Sequence, residues 1–156
     1  STTEILSLDT MIFAPGPAMT TPRSQCAAVA LDEHRVLVAG GSSGLASCLD
    51  TTEILDVGTM AFAPGPSMSS CRVGCAAVAV DARHVLIIGG VSTTSALATT
   101  ALLDVTTMEF ADGPALQAAR WGCAAVVFGS AAGKRIFVLG GENEEDSLGV
   151  TEVLSQ

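Results

Sequence analysis

Apolar residues in this chain come in short runs separated by glycine, proline and small polar turns. Cys75 to Val80, Val85 to Ile88, Cys123 to Phe128 and Ile136 to Leu139 are examples. Runs of four to six residues, rich in β-branched side chains and closed by breakers, predict strands and disfavour helices. None approaches the roughly 18–20 apolar residues needed to span a bilayer as a helix.

The runs recur with a fixed period. Thr2–Gly41 laid over Thr51–Gly90 matches at 24 of 40 positions, and a third copy runs from Thr99 to Gly141 with a small insertion around Gly129–Gly133. Gly-Gly falls at Gly40/Gly41, Gly89/Gly90 and Gly140/Gly141. Arg recurs at Arg23, Arg72 and Arg120, and Cys at Cys26, Cys75 and Cys123. Thr151-Glu152-Val153-Leu154 restates Thr52-Glu53-Ile54-Leu55 and opens a fourth copy. The chain therefore reads as one domain, 1–156, with repeats of about 2–50, 51–98 and 99–150, and a further first strand in 151–156.

Each unit predicts four strands. The first is Thr-Glu-Ile-Leu, ending in a turn such as Asp56-Val57-Gly58-Thr59. The second is Met-x-Phe-Ala, stopped by Pro15-Gly16-Pro17 or Pro64-Gly65-Pro66, where proline removes ladder donors. The third is Cys-Ala-Ala-Val, and the fourth is the run before Gly-Gly, joined to it by Asp32–Arg35, Asp81–His84 or the turn from Ser130 to Lys134. The third and fourth strands are apolar on both faces and so are expected to be buried on both. Small Ala residues suit the narrow end of a wedge, and Leu37, Leu86 and Phe137 suit its wider part. Four-stranded antiparallel sheets repeated radially make a β-propeller, so the predicted class is all-β.

Composition limits the roles open to such a fold. The chain is 49% hydrophobic and 15% charged, with 16 Gly and a formal net charge of −9. That charge argues against nucleic acid and anionic membrane surfaces as partners, both of which select clustered Lys and Arg. No signal peptide is evident, and the chain opens on Ser1 as a processed or excised chain would. Five Cys with no CxxC pair argue against a disulfide-stapled secreted domain. A reducing compartment, the cytoplasm, is therefore favoured. Cys26, Cys75 and Cys123 are expected as packed thiols, not metal ligands, and the unrepeated Cys48 and Cys71 as the reactive ones.

Phe62, Met68, Arg72, Cys75-Ala76-Ala77-Val78, Val85 to Gly90, and a Thr-x-x-Leu-Asp run ending at Asp104 together resemble the kelch-repeat family. Phe stands for the family's Trp, Leu for its Tyr, and Cys for a His common after the Arg. The resemblance implies a propeller with Cys-Ala-Ala-Val innermost. It also implies a binding face formed by the loops around Ser24/Gln25, Val73/Gly74 and Trp121/Gly122 together with Ser42–Asp50, Val91–Ala98 and Glu142–Val150. Closed propellers need about 4–8 blades, so three imply a homodimer closing as a six-bladed ring. Thr3–Leu6 and Thr151–Leu154 then compete for one slot, and one of them should be displaced or disordered. The rival is a fragment of a longer array, or an engineered fragment that self-assembles.

What recurs reads as architecture: Arg23, Arg72 and Arg120 tie loops together, with Glu4, Glu53 and Glu152 as partners and Ala101 standing in for Glu in the third unit. What does not recur reads as function. Trp121, on the loop entering an innermost strand, reads equally as a hot spot or as a wedge between blades, and Gln25 sits at the matching loop. Glu142, Asn143, Glu144, Glu145 and Asp146 make an acidic loop whose default reading is solvated charge and whose alternative is a docking patch for a basic peptide or protein. The chain has no Tyr and only two His, His34 and His84, both in hairpin turns. Copper oxidase chemistry with Tyr and His ligands is thereby closed, and no Walker loop, nucleophile elbow or HExxH appears. The expectation is a non-enzymatic interaction scaffold without cofactor, with a self-assembling fragment second and a hydrolase or lyase third.

Overall fold

The computed structural model describes residues 2–44, 47–130 and 133–155. The predicted Ser130–Lys134 turn, the loop after Gly41 and the end of the fourth copy therefore lie partly outside the described residues.

Thirteen strands form four antiparallel sheets, with no helix among the described residues. They are β1 (Glu4–Ser7), β2 (Ile12–Pro15), β3 (Ala27–Ala30), β4 (Arg35–Ala39), β5 (Thr52–Asp56), β6 (Ala61–Pro64), β7 (Ala76–Ala79), β8 (His84–Ile88), β9 (Thr100–Asp104), β10 (Glu109–Asp112), β11 (Ala124–Ser130), β12 (Gly133–Leu139) and β13 (Thr151–Ser155). Met11, Met60 and Met108, expected to open the second strands, instead sit just before them at φ 55–56°. The Met11 amide donates to Ser7 O and the Met108 amide to Asp104 O, which closes a five-residue turn in the left-handed region.

A sheet is not a sequence unit. Two full sheets run β3-β4-β5-β6 and β7-β8-β9-β10, so each takes its inner pair from one unit and its outer pair from the next. The terminal sheet has three strands, β11-β12-β13, and β1-β2 stands as a separate hairpin. Both competing first strands are formed: β13 fills the slot beside β12, and β1 pairs only with β2.

The sheets stack front to back. The back of the first full sheet (Ala27, Val29, Leu31, Leu37, Ala39) meets the front of the second (Cys75, Val85, Ile87, Ala101, Leu103). The back of the second (Ala76, Val78, Val80, Leu86, Ile88) meets the front of the terminal sheet (Cys123, Ala125, Val127, Ile136, Val138). Val85 through Ile88 are essentially inaccessible, and each such side chain contributes about 1.5–3 kcal/mol by leaving water. β7 lies between β3 and β11, so the Ala-rich strands of the three sheets are neighbours. The gap between them is bridged through the backbone. Gly74 N–H donates to Gln25 O (2.9 Å), and Gly122 N–H to Gly74 O (2.8 Å). Gly41 N–H likewise donates to Arg72 O, and Gly90 N–H to Arg120 O, both at 2.8 Å. Gly is required before these donors, since a Cβ at Gly40 or Gly89 would collide with the carbonyl it faces.

Burial on both faces, expected for every third and fourth strand, is most nearly reached in the second full sheet, the one with a neighbour on each side, although Ala79 is exposed even there. In the first full sheet β4 is also buried on both faces, at Leu37, Val38 and Ala39. On the terminal sheet Val126 is 49% exposed against 7% for its counterpart Val78, and Leu139 41% against 0% for Ile88. At the opposite end of the stack Ala28 is exposed, where its counterpart Ala77 is half-buried.

Candidate binding face

The loops entering the third strands and those following Gly-Gly are joined by reciprocal backbone bridges: Ser24 with Ser42, Val73 with Val91, and Trp121 with Glu142. Each is then braced by an arginine. Arg23 Nη1 donates to Gly40 O (3.0 Å) and Thr51 O (2.8 Å), its Nη2 to Thr51 Oγ1, and its Nε to Glu53 Oε1 (3.1 Å). The Glu53 carboxylate also accepts from Thr20 N and Oγ1 and from Thr21 N. Burial pushes the Glu53 carboxyl up, but these donors outweigh it and hold it below its ordinary value. Arg120 repeats the arrangement on Gly140 O, Val150 O and Glu152, whose carboxylate also accepts from the Gln117 and Ala118 amides. Glu152 is held low by the same balance, burial opposing the hydrogen bonds.

Arg72 is the exception. It is 1% exposed and donates to Gly89 O, Thr99 O and Thr99 Oγ1, with no carboxylate, because Ala101 stands at the Glu position. Its Nε has no partner, and neither does that of Arg120, which reaches Glu152 through Nη2. Desolvation pulls its proton affinity below that of an ordinary guanidinium.

The predicted partner-binding residues fall on this one side of the sheets. Trp121 is half-buried and lies against the backbone of Gly74 in the neighbouring entry loop. Glu142 is bonded to it through both peptide groups, at 2.9 Å each. The Asn143 side chain accepts from the amides of Glu145 and Asp146, so the acidic loop is a defined turn. Glu144 reaches across to the Ala96 amide of the next loop, an interaction that holds its carboxyl low. Glu142, Glu145 and Asp146 remain exposed carboxylates. Gln25 has φ 53°, at the position where the other copies carry Gly74 and Gly122 in the same left-handed conformation.

Two features lay outside the sequence reading. Cys48 and Cys71, expected as free reactive thiols, are joined in a disulfide with Cα atoms 5.4 Å apart. Stacking brings the loop after one unit's Gly-Gly against the entry loop of the next, and the expectation of reactive thiols at these two positions is corrected. Beside the disulfide opens a cleft of about 640 Å³ between the first two loop sets. Ser24, Gln25, Ser42, Ser47, Ser92 and Thr93 line it with hydroxyl and amide groups, and among the described residues no ionisable side chain contributes. The Ser/Thr richness of residues 42–47 and 92–95 was the available signal. The repeated Cys75 is buried, and its thiol is pushed up to about 11 by desolvation. His84 lies on the other side, capping a turn with Asp81.

No protein-family model matches the chain, and no curated protein does.

Proposed function

We propose that this chain is part of a kelch-type propeller that acts as a non-enzymatic binding scaffold, closing into a six-sheet ring with a second copy and presenting its braced loops to a protein partner. The observation that carries the reading is the front-to-back stacking, which is the same at both sheet boundaries and leaves one open back and one open front. An open back on the terminal sheet and an open front on the first full sheet are complementary by construction, and a two-fold axis lets both ends close at once. Two such chains contain four full or nearly full sheets and two places where a lone hairpin meets a three-stranded sheet.

The loop face supports the scaffold role. Its acidic loop is held by backbone hydrogen bonds and by the Asn143 side chain, and Trp121 sits beside it, a residue type favoured at interaction hot spots. The partner expected there is a Lys/Arg-rich peptide segment. Light scattering after size-exclusion chromatography tests closure: a particle of twice 15.7 kDa is expected, and a monomer at high concentration overturns it. Binding of basic peptides tests the face, with Glu145→Gln and Asp146→Asn together expected to weaken it. Glu144 is left unaltered because it holds the neighbouring loop.

A further inference from the structure

Resting on that closure, we infer that β13 is a stand-in strand, displaced in the dimer when the β1-β2 hairpin of a second copy enters its slot and Glu4 of that copy replaces Glu152 on Arg120.

The hairpin is built for such a slot and lacks one within its own chain. Its register, Glu4 with Pro15 through Leu6 with Phe13, repeats that of β5-β6, Glu53 with Pro64 through Leu55 with Phe62. Its internal bonds match as well: Gly16 N–H to Thr3 O and Thr3 Oγ1–H to Pro17 O, as Gly65 to Thr52 and Thr52 to Pro66. Yet β5 is paired on its other edge with β4, and β1 has no such neighbour. Phe13 is consequently 63% exposed, whereas Phe62 and Phe110 are half-buried.

The slot shows what it is missing. β13 reads Thr-Glu-Val-Leu-Ser, and Thr3 with β1 reads Thr-Glu-Ile-Leu-Ser, so one methylene separates them over five residues. Arg120 takes the carboxylate that β13 offers, while Glu4 is exposed and has no partner among the described residues. Among the described residues no strand follows on the outer edge of β13. Beside it, between the terminal sheet and its neighbour, a gap of about 170 Å³ remains, lined by Val80, Leu86, Leu102, Pro114, Ile136 and Leu154 and by Lys134, whose ammonium is bonded to Val80 O. At the preceding sheet boundary Phe110 and Ile54, the counterpart of Leu102, both pack against the shared core. Phe13 opposite Leu6 is the matching residue of an incoming hairpin.

The backbone series points to the same occupant. Gly41 and Gly90 each donate to an arginine carbonyl one sheet on, and Gly74 and Gly122 each donate to the entry loop one sheet back. Within the chain neither series has a next member. Gly141 N–H and Gly122 O at one end match Arg23 O and Gln25 N–H at the other. A second copy supplies both. The hairpin arrives already folded, so little ordering entropy opposes its docking, and it brings two strands where β13 brings one.

Twin substitutions test the exchange, because Glu4 and Glu152 compete for one arginine. Alanine is already accommodated at this position as Ala101. Sedimentation equilibrium of the full chain should show Glu4→Ala weakening dimerisation by about tenfold or more, as expected for loss of charge-assisted hydrogen bonds, and Glu152→Ala strengthening it. Phe13→Ser should weaken it without lowering the melting temperature of the monomer. If dimers form but the twin substitutions leave the dissociation constant unchanged, or move it the same way, the exchange is wrong and closure stands with β13 in place. If no dimer forms at any concentration, closure itself fails and the exchange with it.

Discussion

Arg23 and Arg72 occupy the same position in successive units, and only one has a carboxylate, so the repeat supplies its own control for the energetics of a buried cation. Arg23→Met removes a guanidinium from a carboxylate that is 2% exposed. Breaking a buried pair from one side costs about 3–5 kcal/mol, because the remaining charge is left uncompensated. Arg72→Met removes three hydrogen bonds to neutral oxygens, each worth about 1.5–3 kcal/mol when the donor is charged. Against that stands relief from burying a cation with no carboxylate bonded to it, Asp112 acting on it only through space; that relief is itself several kcal/mol. The expected net loss at Arg72 is about 1–2 kcal/mol, roughly 2–3 kcal/mol less than at Arg23. Urea unfolding followed by circular dichroism, with the midpoint compared at constant slope, measures both. A third variant sharpens the comparison. Ala101→Glu places a carboxylate opposite the unpartnered Arg72 Nε and beside the amides of Ser69 and Ser70, so Arg72→Met in that background should cost what Arg23→Met costs. Equal losses for the two single arginine variants would refute the reasoning and assign the stabilisation to the carbonyl contacts shared by both sites.

Three further outcomes are expected. Cys48→Ser or Cys71→Ser should lower stability by about 3 kcal/mol, the chain-entropy value for a sequence separation of 23 residues, read as a shift in urea midpoint under non-reducing conditions. Gln25→Gly should raise stability by about 1 kcal/mol by relieving a left-handed non-glycine residue, while weakening any partner that grips the Gln25 side chain; calorimetry and peptide binding check the two effects separately. Glu53 and Glu152 are both held below their ordinary value of 4.5 in the folded chain. Their contribution is therefore fully present above that pH and is lost as pH falls through the depressed folded values. Melting temperature should drop as pH is lowered below about 4.5, and Glu53→Gln should flatten that fall.

Much of the strand architecture can be read from the sequence because the determinants are local. Pro15-Gly16-Pro17 and Gly40/Gly41 end strands wherever they stand, and Val85 to Ile88 has the length and branching of a buried strand. The assignment of strands to sheets is different. A periodic sequence has no phase, so nothing in Thr51–Gly90 says whether Thr52–Asp56 pairs with β6 alone or also with β4 of the preceding unit. The disulfide was hidden for the same reason: Cys48 and Cys71 belong to different units, and only stacking makes them neighbours. Their shared peculiarity, being the two cysteines without a repeat counterpart, was the clue. Gln25 was legible as an oddity, but its backbone conformation becomes apparent only when Gly74 and Gly122 are seen to share it.

The half-unit offset between sequence period and sheet decides where this chain can be opened. A cut between sequence units, near residues 50 or 98, separates β4 from β5 or β8 from β9 and tears a sheet through its middle ladder. A cut after the second strand, in residues 17–22, 66–70 or 114–119, leaves every ladder whole; it costs the connection between neighbouring sheets and loosens the turns whose amides hold Glu53 and Glu152. Circular permutants and inserted domains should be tolerated at the second set of positions and not at the first. A unit gained or lost by recombination at those junctions would arrive as a complete sheet, ready to stack.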